Sequence, residues 1–594
     1  MMLNQLVTYA RKNLSGSEPG FTTRTVRWLV EISIDGQLIN ILPLGDEKKG
    51  EQTSKCPEMH NMNAGGRAHF LVETLQTVAL LCKPNEEPKK ISGSQEKQSF
   101  FKGIVRLAAV EAPSLQPLAK FFEGEQLDLL RDRFSQEKAK PTDWLRWRIA
   151  GADPLQESAV LNWWRLWREL DQGKDKIEEK TKRGKKTAES SAATNSREMI
   201  CFLSGEQLVP LPTQPKITGL SGVGGLSMGD VMAGFDKAAF CSFGLEQASN
   251  AAMGEKSARE FIDALNHLIK NHSRKLANTL VVHWFKDTVR VESDPLAFLF
   301  EPPEITEATA YSSAQQILES LRTGQRSNSS NNRYFAITIS GASGRVMIRD
   351  WMEGSFEELI TRIEQWFSDL EIVARDGNNL ARDPKFMAVC GALVRELKDL
   401  SASTSAILWR VALTGQPIPQ TFVAQALHRF RCDLIDDKQF NHARMGLIKA
   451  YFIRKGGNHH MSPYLNKEHP EPAYQCGRLL AMLADLQRSA LGDVGAGVVQ
   501  RYYVAASQTP GLTIGRLMSN AKNHLGKVAS EKPKRAYWYE GQIADIMSQI
   551  EDRIPGTLDL ERQSLFALGY YQQIAANRAG KIKDNNESTK GDIQ

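Results

Sequence analysis

From about residue 380 to near its end the chain has one texture: apolar residues recur at helical spacing and strand-like alternation nearly vanishes. A run of this kind can bury its apolar stripes only by packing helix against helix. The pattern predicts helices over 386–399, 403–413, 419–430, 441–454, 472–489, 494–507, 535–552 and 560–577. Roughly the last fifteen residues are polar and are expected to fray.

The part before residue 380 mixes patterns. A short amphipathic helix is predicted over 4–14, ending in SGSEPG. Strand-like runs follow at Thr25 to Ile32 and Gln37 to Leu42, around the turn signal Asp35-Gly36. Gly45 to Gly66 reads as a polar loop, helix is expected to resume near His69 through FLVETLQTVALLC, and residues 96–170 look mostly helical. Strands are predicted around Ile200 to Leu203, Gln207 to Leu211 and Thr279 to Phe285, a helix from Ser257 to Ser273, and a β-hairpin over 333–351 around Gly341 to Gly344. The stretch 171–198 is charged, Ser/Thr-rich and almost free of large apolar groups, so it cannot offset its ordering entropy. It reads as a mobile charged insertion loop whose lysines could brush phosphate. The expected architecture is an α+β N-terminal domain with small β-sheets and hairpins over 1–380, followed by an all-α C-terminal helical bundle over 381–594.

Composition narrows the class. A chain of 594 residues with 41% hydrophobic content is too long for one core. The net charge of +6 permits a nucleic-acid partner without requiring one. The seven cysteines include no CxxC spacing, so neither a disulfide framework nor a zinc site is expected, and scattered thiols suit a reducing compartment. The leading segment MMLNQLVTYARKNL has no long apolar centre, and no run of eighteen apolar residues occurs. A cytoplasmic location is therefore expected.

Catalytic signatures are missing. The glycine-rich stretch 219–236 lacks the GK[ST] of a phosphate-binding loop, and Gly222, Gly224 and Gly225 do not make GxGxxG. His459-His460 is no HExxH site, and His267 and His272 have no neighbouring ligand pattern. No catalytic residue, cofactor or metal ligand is assigned, and the chain is expected not to be an enzyme. Active sites are recognised by geometry rather than spacing. A nucleic-acid-processing enzyme with a dispersed site, tested at His283 or Asp294, thus stays open as an alternative, as does a scaffold that contacts only protein.

Several segments could hold nucleic acid. The run Ser221-Gly222-Val223-Gly224-Gly225 can lay backbone N–H groups against phosphate or serve as a flexible connection. Gln247 and Asn250 carry amides able to meet base edges or to cap a turn. Trp144, Trp147, Trp163, Trp164 and Trp167 could stack bases, although helical spacing favours the core; Arg146, Arg148, Arg165 and Arg168 would then fall on an exposed face. The tract 522–535, KNHLGKVASEKPKR, is basic and could meet a phosphate backbone or form a solvated helix end.

Collinear segments resemble one known family. They are 201–206 (CFLSGE), 215–225 (PKITGLSGVGG), 243–251 (FGLEQASNA), 280–285 (LVVHWF), 334–351 (YFAITISGASGRVMIRDW), 446–455 (GLIKAYFIRK), 465–490 (LNKEHPEPAYQCGRLLAMLADLQRSA), 500–528 (QRYYVAASQTPGLTIGRLMSNAKNHLGKV) and 557–573 (TLDLERQSLFALGYYQQ). Together they are similar to the large subunit of the subtype I-C CRISPR surveillance complex, Cascade. Two places depart from the family: His69 stands where an Asn is expected, and the insertion 171–198 is peculiar to this sequence. The resemblance implies a non-catalytic subunit of a ribonucleoprotein for antiviral defence. Its partners would be CRISPR RNA, target double-stranded DNA with its displaced non-target strand, backbone and 5′-handle-binding subunits, and a recruited helicase-nuclease. It would sense the protospacer-adjacent motif (PAM) and help form the R-loop. Candidate PAM contacts are Asn61, Asn63, Gly65, Gly66, Arg67, Ser221, Gly222, Gly224, Gly225, Gln247 and Asn250; candidate phosphate contacts are Lys216, Lys522, Lys527, Lys534 and Arg535. The family further implies a small subunit translated internally from the same gene, with Met445, Met461 and Met482 as possible starts.

Overall fold

A computed structural model describes residues 2–591 except 15–17, 46–49, 60–65, 83–85, 184–197, 212, 236–237, 241–244, 246, 290–293, 303–331, 436–440, 457–459, 493, 495–496 and 552. The chain divides into two compact units, Met1–Pro215 with Ala233–Ala264, and Lys216–Met232 with Leu265–Gln594.

The first unit opens with helix α1 (Met2–Asn13) and strands β1 (Phe21–Val26), β2 (Trp28–Ile32), β3 (Leu38–Pro43) and β4 (Glu51–Pro57). The run expected as one strand from Thr25 is divided at Arg27, so β1 pairs with β4 while β2 pairs with β3. Gly36 turns the β2–β3 hairpin at φ +79°, where a Cβ would come within 2.6 Å of the Pro117 carbonyl. The polar loop expected over 45–66 therefore contains a strand. The helix expected from His69 shrinks to strand β5 (Glu73–Thr74) and one turn, α2 (Leu75–Val78). Leu71 adopts left-handed backbone at φ +60°, and the buried Glu73 carboxylate accepts the His69 N–H, which together interrupt the helix.

Helices α3 (Pro88–Glu111), α4 (Gln116–Phe121) and α5 (Gln126–Gln136) lead to strand β6 (Trp144–Ile149) and helix α6 (Ser158–Arg183). WLRWRI, placed in a mostly helical stretch by the sequence reading, is thus a strand. Its residues alternate half-buried and buried, which suits a period of two. It completes a sheet of order β3-β2-β6-β5. Trp147, Trp163 and Trp164 are buried, and Trp163, Trp164 and half-buried Trp167 stack in one cluster with Phe70. These tryptophans are core. Helix α6 runs on to Arg183, so the expected charged loop begins as helix, in line with its Glu, Lys, Gln and Arg content. Two short strands, β7 (Met199–Ile200) and β8 (Gln207–Leu208), pair with each other.

Helix α7 (Glu255–Asn271) belongs to the first unit up to Ala264. A ladder of charges ties that part of it to its unit. Arg24 meets Glu58 at 3.4 Å, Arg259 bridges Glu58 at 2.5 Å and Glu255 at 3.1 Å, and Arg168 grips the same Glu255.

The second unit contains β9 (Ser273–Leu276), β10 (Thr279–Phe285), α8 (Pro295–Phe300), β11 (Arg333–Ala342) and β12 (Arg345–Ser355), the strands forming one antiparallel sheet. Then come α9 (Phe356–Leu370), α10 (Phe386–Gly391), α11 (Ala402–Thr414), α12 (Gln420–Ile435), α13 (His442–Lys455), α14 (Pro472–Leu491), α15 (Val498–Gln508), α16 (Pro510–Glu531), α17 (Pro533–Ile550) and α18 (Leu560–Gly591). Prolines at the first helical position pre-set the starts of α14, α16 and α17. The helix predicted over 386–399 is shorter, and α16 was not foreseen as a helix. Helix α18 continues into the polar tail that was expected to fray. One apolar core runs from Leu276 on β9 to Ala575 on α18. Within it α14 and α18 cross closely: a Cβ on Gly477 would lie 2.0 Å from the Phe566 carbonyl oxygen, and one on Gly569 2.2 Å from that of Tyr474. The architecture is thus an α+β N-terminal region with small sheets and hairpins, then a mostly helical C-terminal region, as the sequence predicts.

Candidate nucleic-acid interface

The glycine-rich segment 216–232 is a fixed turn docked on the tip of the β11–β12 hairpin. Ile217 and Asp230 exchange both backbone hydrogen bonds at 2.8 Å, closing the segment into a loop. The Leu220 carbonyl accepts from Val223 and Gly225, and Gly224 is left-handed at φ +92°. Val231 donates to the Gly344 carbonyl and accepts from Val346. A Cβ on Gly341 would lie 2.2 Å from Gly225 Cα, and one on Gly225 2.3 Å from Asp230 Oδ2. Backbone therefore touches backbone, and Asp230, fully buried, receives the Leu226 N–H on both carboxylate oxygens at 3.1 and 3.2 Å. Asn266 of α7 braces the entrance by accepting the Thr218 N–H and donating to the Lys216 carbonyl. The glycines serve close packing, not a flexible connection, and the nest of Val223 and Gly225 N–H groups is filled by the turn's own carbonyl.

The outer face of this turn is exposed and cationic. Ser221, Gly222 and Gly224 are exposed, as are Lys216, Lys275 and Arg345. A Cβ on Gly222 would be 3.9 Å from Lys275 Nζ, so that ammonium stands beside the turn. Arg274, next to it on β9, points to the opposite face of the sheet, its guanidinium over the Phe300 ring, and is not part of this surface. Leu226 and Met228 project as exposed apolar side chains, 50% and 79% accessible. A rigid backbone edge, several cations and an apolar tip can meet a phosphodiester backbone and press on stacked bases.

The other sequence candidates fall elsewhere. Asn61, Asn63 and Gly65 lie outside the described residues. Gly66 is half-buried at φ +61°, and Arg67 turns to Asp171 at 2.7 Å with only 13% of its side chain exposed. Gln247 and Asn250 share a 3₁₀ turn of the first unit, where Asn250 donates to the Leu245 carbonyl. Lys522 and Lys527 are exposed on α16 and Lys534 on α17, while Arg535 leans over the Tyr539 ring. The arginines interleaved with tryptophans do not form the expected exposed face. Arg146, Arg148, Arg165 and Arg168 pair with Asp153, Glu31, Glu18 and Glu255, and Arg168 is buried. Lys275, Leu226 and Met228 were missed, since only the fold places β9 and the hairpin tip around the turn.

Two histidines illustrate what burial does. His69 is buried, its Nδ1 accepts the Met59 N–H, and its ring lies against Trp144. Burial, then the neighbouring charges of Arg24 and Lys97, push its pKa down to about 3, so it stays neutral. His283 on β10 meets Asp294 at 2.8 Å through Nε2, and Asp294 also caps α8 by accepting the Leu296 N–H. Its Nδ1 is buried without a hydrogen-bond partner. Among the described residues no group of three or more His, Cys, Asp and Glu side chains is placed to hold a metal, and no helix is long and apolar enough to cross a membrane.

A family model described as CRISPR-associated protein (Cas_Csd1) matches residues 6–577. No curated protein matches the chain.

Proposed function

Because the chain belongs to the CRISPR-associated Csd1 family, we propose that it is the non-catalytic large subunit of a subtype I-C RNA-guided surveillance complex acting in the cytoplasm. In this role it holds duplex DNA, senses the short PAM, helps open the strands and supports recruitment of a helicase-nuclease. Guide RNA pairing supplies most of the sequence specificity, so the protein needs only a local grip on the duplex. The observation that carries the DNA-contact part is the glycine turn: a backbone edge fixed by Gly224, Gly225 and Gly341, flanked by Lys216 and Lys275 and tipped by Leu226 and Met228. Cations at this edge attract phosphate, and the apolar tip favours a deformed or opened base step. Candidate contacts in the first unit, at Asn61, Asn63, Gln247 and Asn250, would add base-edge readout, with Gly65 and Gly66 allowing close backbone approach; Arg67 would contribute only on leaving Asp171.

The complex should be assembled with the wild-type chain and with a Lys216→Glu, Lys275→Glu variant, then titrated with target duplex at several salt concentrations. The variant is expected to bind every target more weakly and with a shallower salt slope, because lost phosphate contacts release fewer counterions. Unchanged affinity and slope would remove the turn from the DNA interface.

The small subunit belongs to the same proposal. Met445 and Met482 are fully buried inside α13 and α14, whereas Met461 lies in the connection between them. A start at Met461 keeps α14–α18 whole. It also keeps the polar cap of that bundle, in which Gln572 donates to the Ser462 and Pro463 carbonyls and Gln475 and Arg478 donate to the Lys467 carbonyl.

A further inference from the structure

Between α14, α15 and α16 lies a partly enclosed cavity of about 250 Å³. Its floor is apolar, with Leu483, Val498 and Leu517 buried there. Its rim is polar: Arg501 and Tyr502 come from α15, and Asn520, Asn523 and His524 from α16. None of these five rim side chains makes a hydrogen bond or ion pair with another described residue. Burial and the nearby Lys527 hold the His524 pKa below the usual histidine value, so its ring is neutral near pH 7.

The chemistry of this lining is selective. A planar ring with apolar faces and a hydrogen-bonding edge suits an apolar floor flanked by two amides and a phenol ring. The cavity is smaller than the usual pocket for a drug-sized ligand. Along α16, Arg516, Asn520, Asn523 and Lys527 recur at i, i+4, i+7 and i+11, so they share one face. The two amides are therefore bracketed by cations about 16 Å apart along the helix axis, and Arg501 adds a guanidinium from α15. Arg501, Arg516 and Lys527 are all exposed. That spacing fits a short stretch of sugar–phosphate chain crossing the cavity mouth. A base paired in a duplex cannot enter a floored cavity without leaving its stack.

We infer that this cavity receives one unpaired base of a single-stranded nucleic acid, with Asn520 and Asn523 meeting its edge and Arg501, Arg516 and Lys527 holding the flanking phosphates. The inference rests on the reading of the chain as a nucleic-acid-handling subunit, but it uses none of the glycine-turn residues, so the two can fail separately.

The test uses the full-length chain and a short oligothymidine carrying 5-iododeoxyuridine, crosslinked by ultraviolet light and mapped by mass spectrometry. The adduct is expected on the peptide containing Tyr502 or the one containing His524. An Asn520→Ala, Asn523→Ala variant, altered only at exposed positions, should bind the oligomer about tenfold more weakly. A fully abasic strand of equal length should bind the wild type no better than oligothymidine binds the variant. A Lys275→Glu variant should lose duplex affinity and keep the crosslink. Adducts mapped away from α15 and α16, or equal binding of oligothymidine and the abasic strand, would overturn the proposal. So would binding of thymidine monophosphate in the cavity without binding of the oligomer, which would assign the site to a free nucleotide.

Discussion

At Gly341 the hairpin backbone comes so close to the glycine turn that a Cβ would sit 2.2 Å from both N and Cα of Gly225. Gly341→Ala should therefore cost roughly 1–3 kcal/mol by overpacking and displace the turn. The expected result is a lower melting temperature together with weaker duplex binding by the assembled complex; a variant matching the wild type in both would show that the contact is dispensable. Lys449 poses a different residue-scale problem. It is 2% exposed, and among the described residues its ammonium donates only to the Ser368 carbonyl, at a long 3.4 Å. Burial pulls its pKa down to about 8, with Asp369 and Glu371 offsetting only part of the effect. The folded-state value lies below the unfolded one, so between about pH 8 and the ordinary lysine range the unfolded chain binds more protons and stability rises with pH. At pH 7 the cost of the buried charge stands in full, roughly 3 kcal/mol. Lys449→Met should be more stable than the wild type at pH 7 by up to that amount, and its advantage should shrink as pH rises above about 8. Urea denaturation of both proteins at several pH values checks this; a pH-independent difference would contradict it. The sequence exposed the glycines of the turn but not their purpose, because close approach depends on Gly341, more than a hundred residues downstream.

Elements were legible where their apolar period was clean. The β11–β12 hairpin stands where alternation put it and strand β10 where its apolar, partly β-branched run did, and α11–α15, α17 and α18 follow the predicted periodicity with shifted ends. Helix α16 was missed because its buried face is sparse. Ile514, Leu517, Ala521 and Val528 carry it between exposed glycines and amides, and the basic tract hid the repeat. Strand β6 was misread because tryptophan and arginine fit either period, and only pairing with β2 decides between them. The ladder of Arg24, Glu58, Arg259, Glu255 and Arg168 was illegible, since its members come from four separated segments. Glu255 stands between two largely buried guanidiniums, and those partners hold its carboxyl below the usual range although burial opposes them. Glu255→Ala should strand Arg168 without a carboxylate and destabilise the first unit by about 3–5 kcal/mol, measured as a loss of denaturation midpoint. A loss under about 1 kcal/mol, the range of an exposed surface pair, would show that solvent reaches the ladder.

Across the whole molecule the last strand, β12, ends at Ser355, ahead of the change of texture near residue 380, and the apolar core of the second unit continues across both from Leu276 to Ala575. The candidate interface draws on residues 216–232, Lys275 and 341–345, segments that no local window joins. Sequence could thus nominate the glycine run and Lys216, and not Lys275 or Arg345 beside them. If the same gene supplies a small subunit from Met461, mass spectrometry of the purified complex should find a C-terminal polypeptide beginning there; finding no short C-terminal polypeptide would end that part of the account. The central claim is that this chain gives the RNA-guided assembly its hold on duplex DNA beside the PAM. Its most direct test compares assemblies with and without the chain on matched and motif-mutated duplexes. Omission should abolish the preference for the matched motif and slow strand opening, while pairing of the guide to single-stranded target persists. Undiminished preference in the absence of the chain would contradict the account.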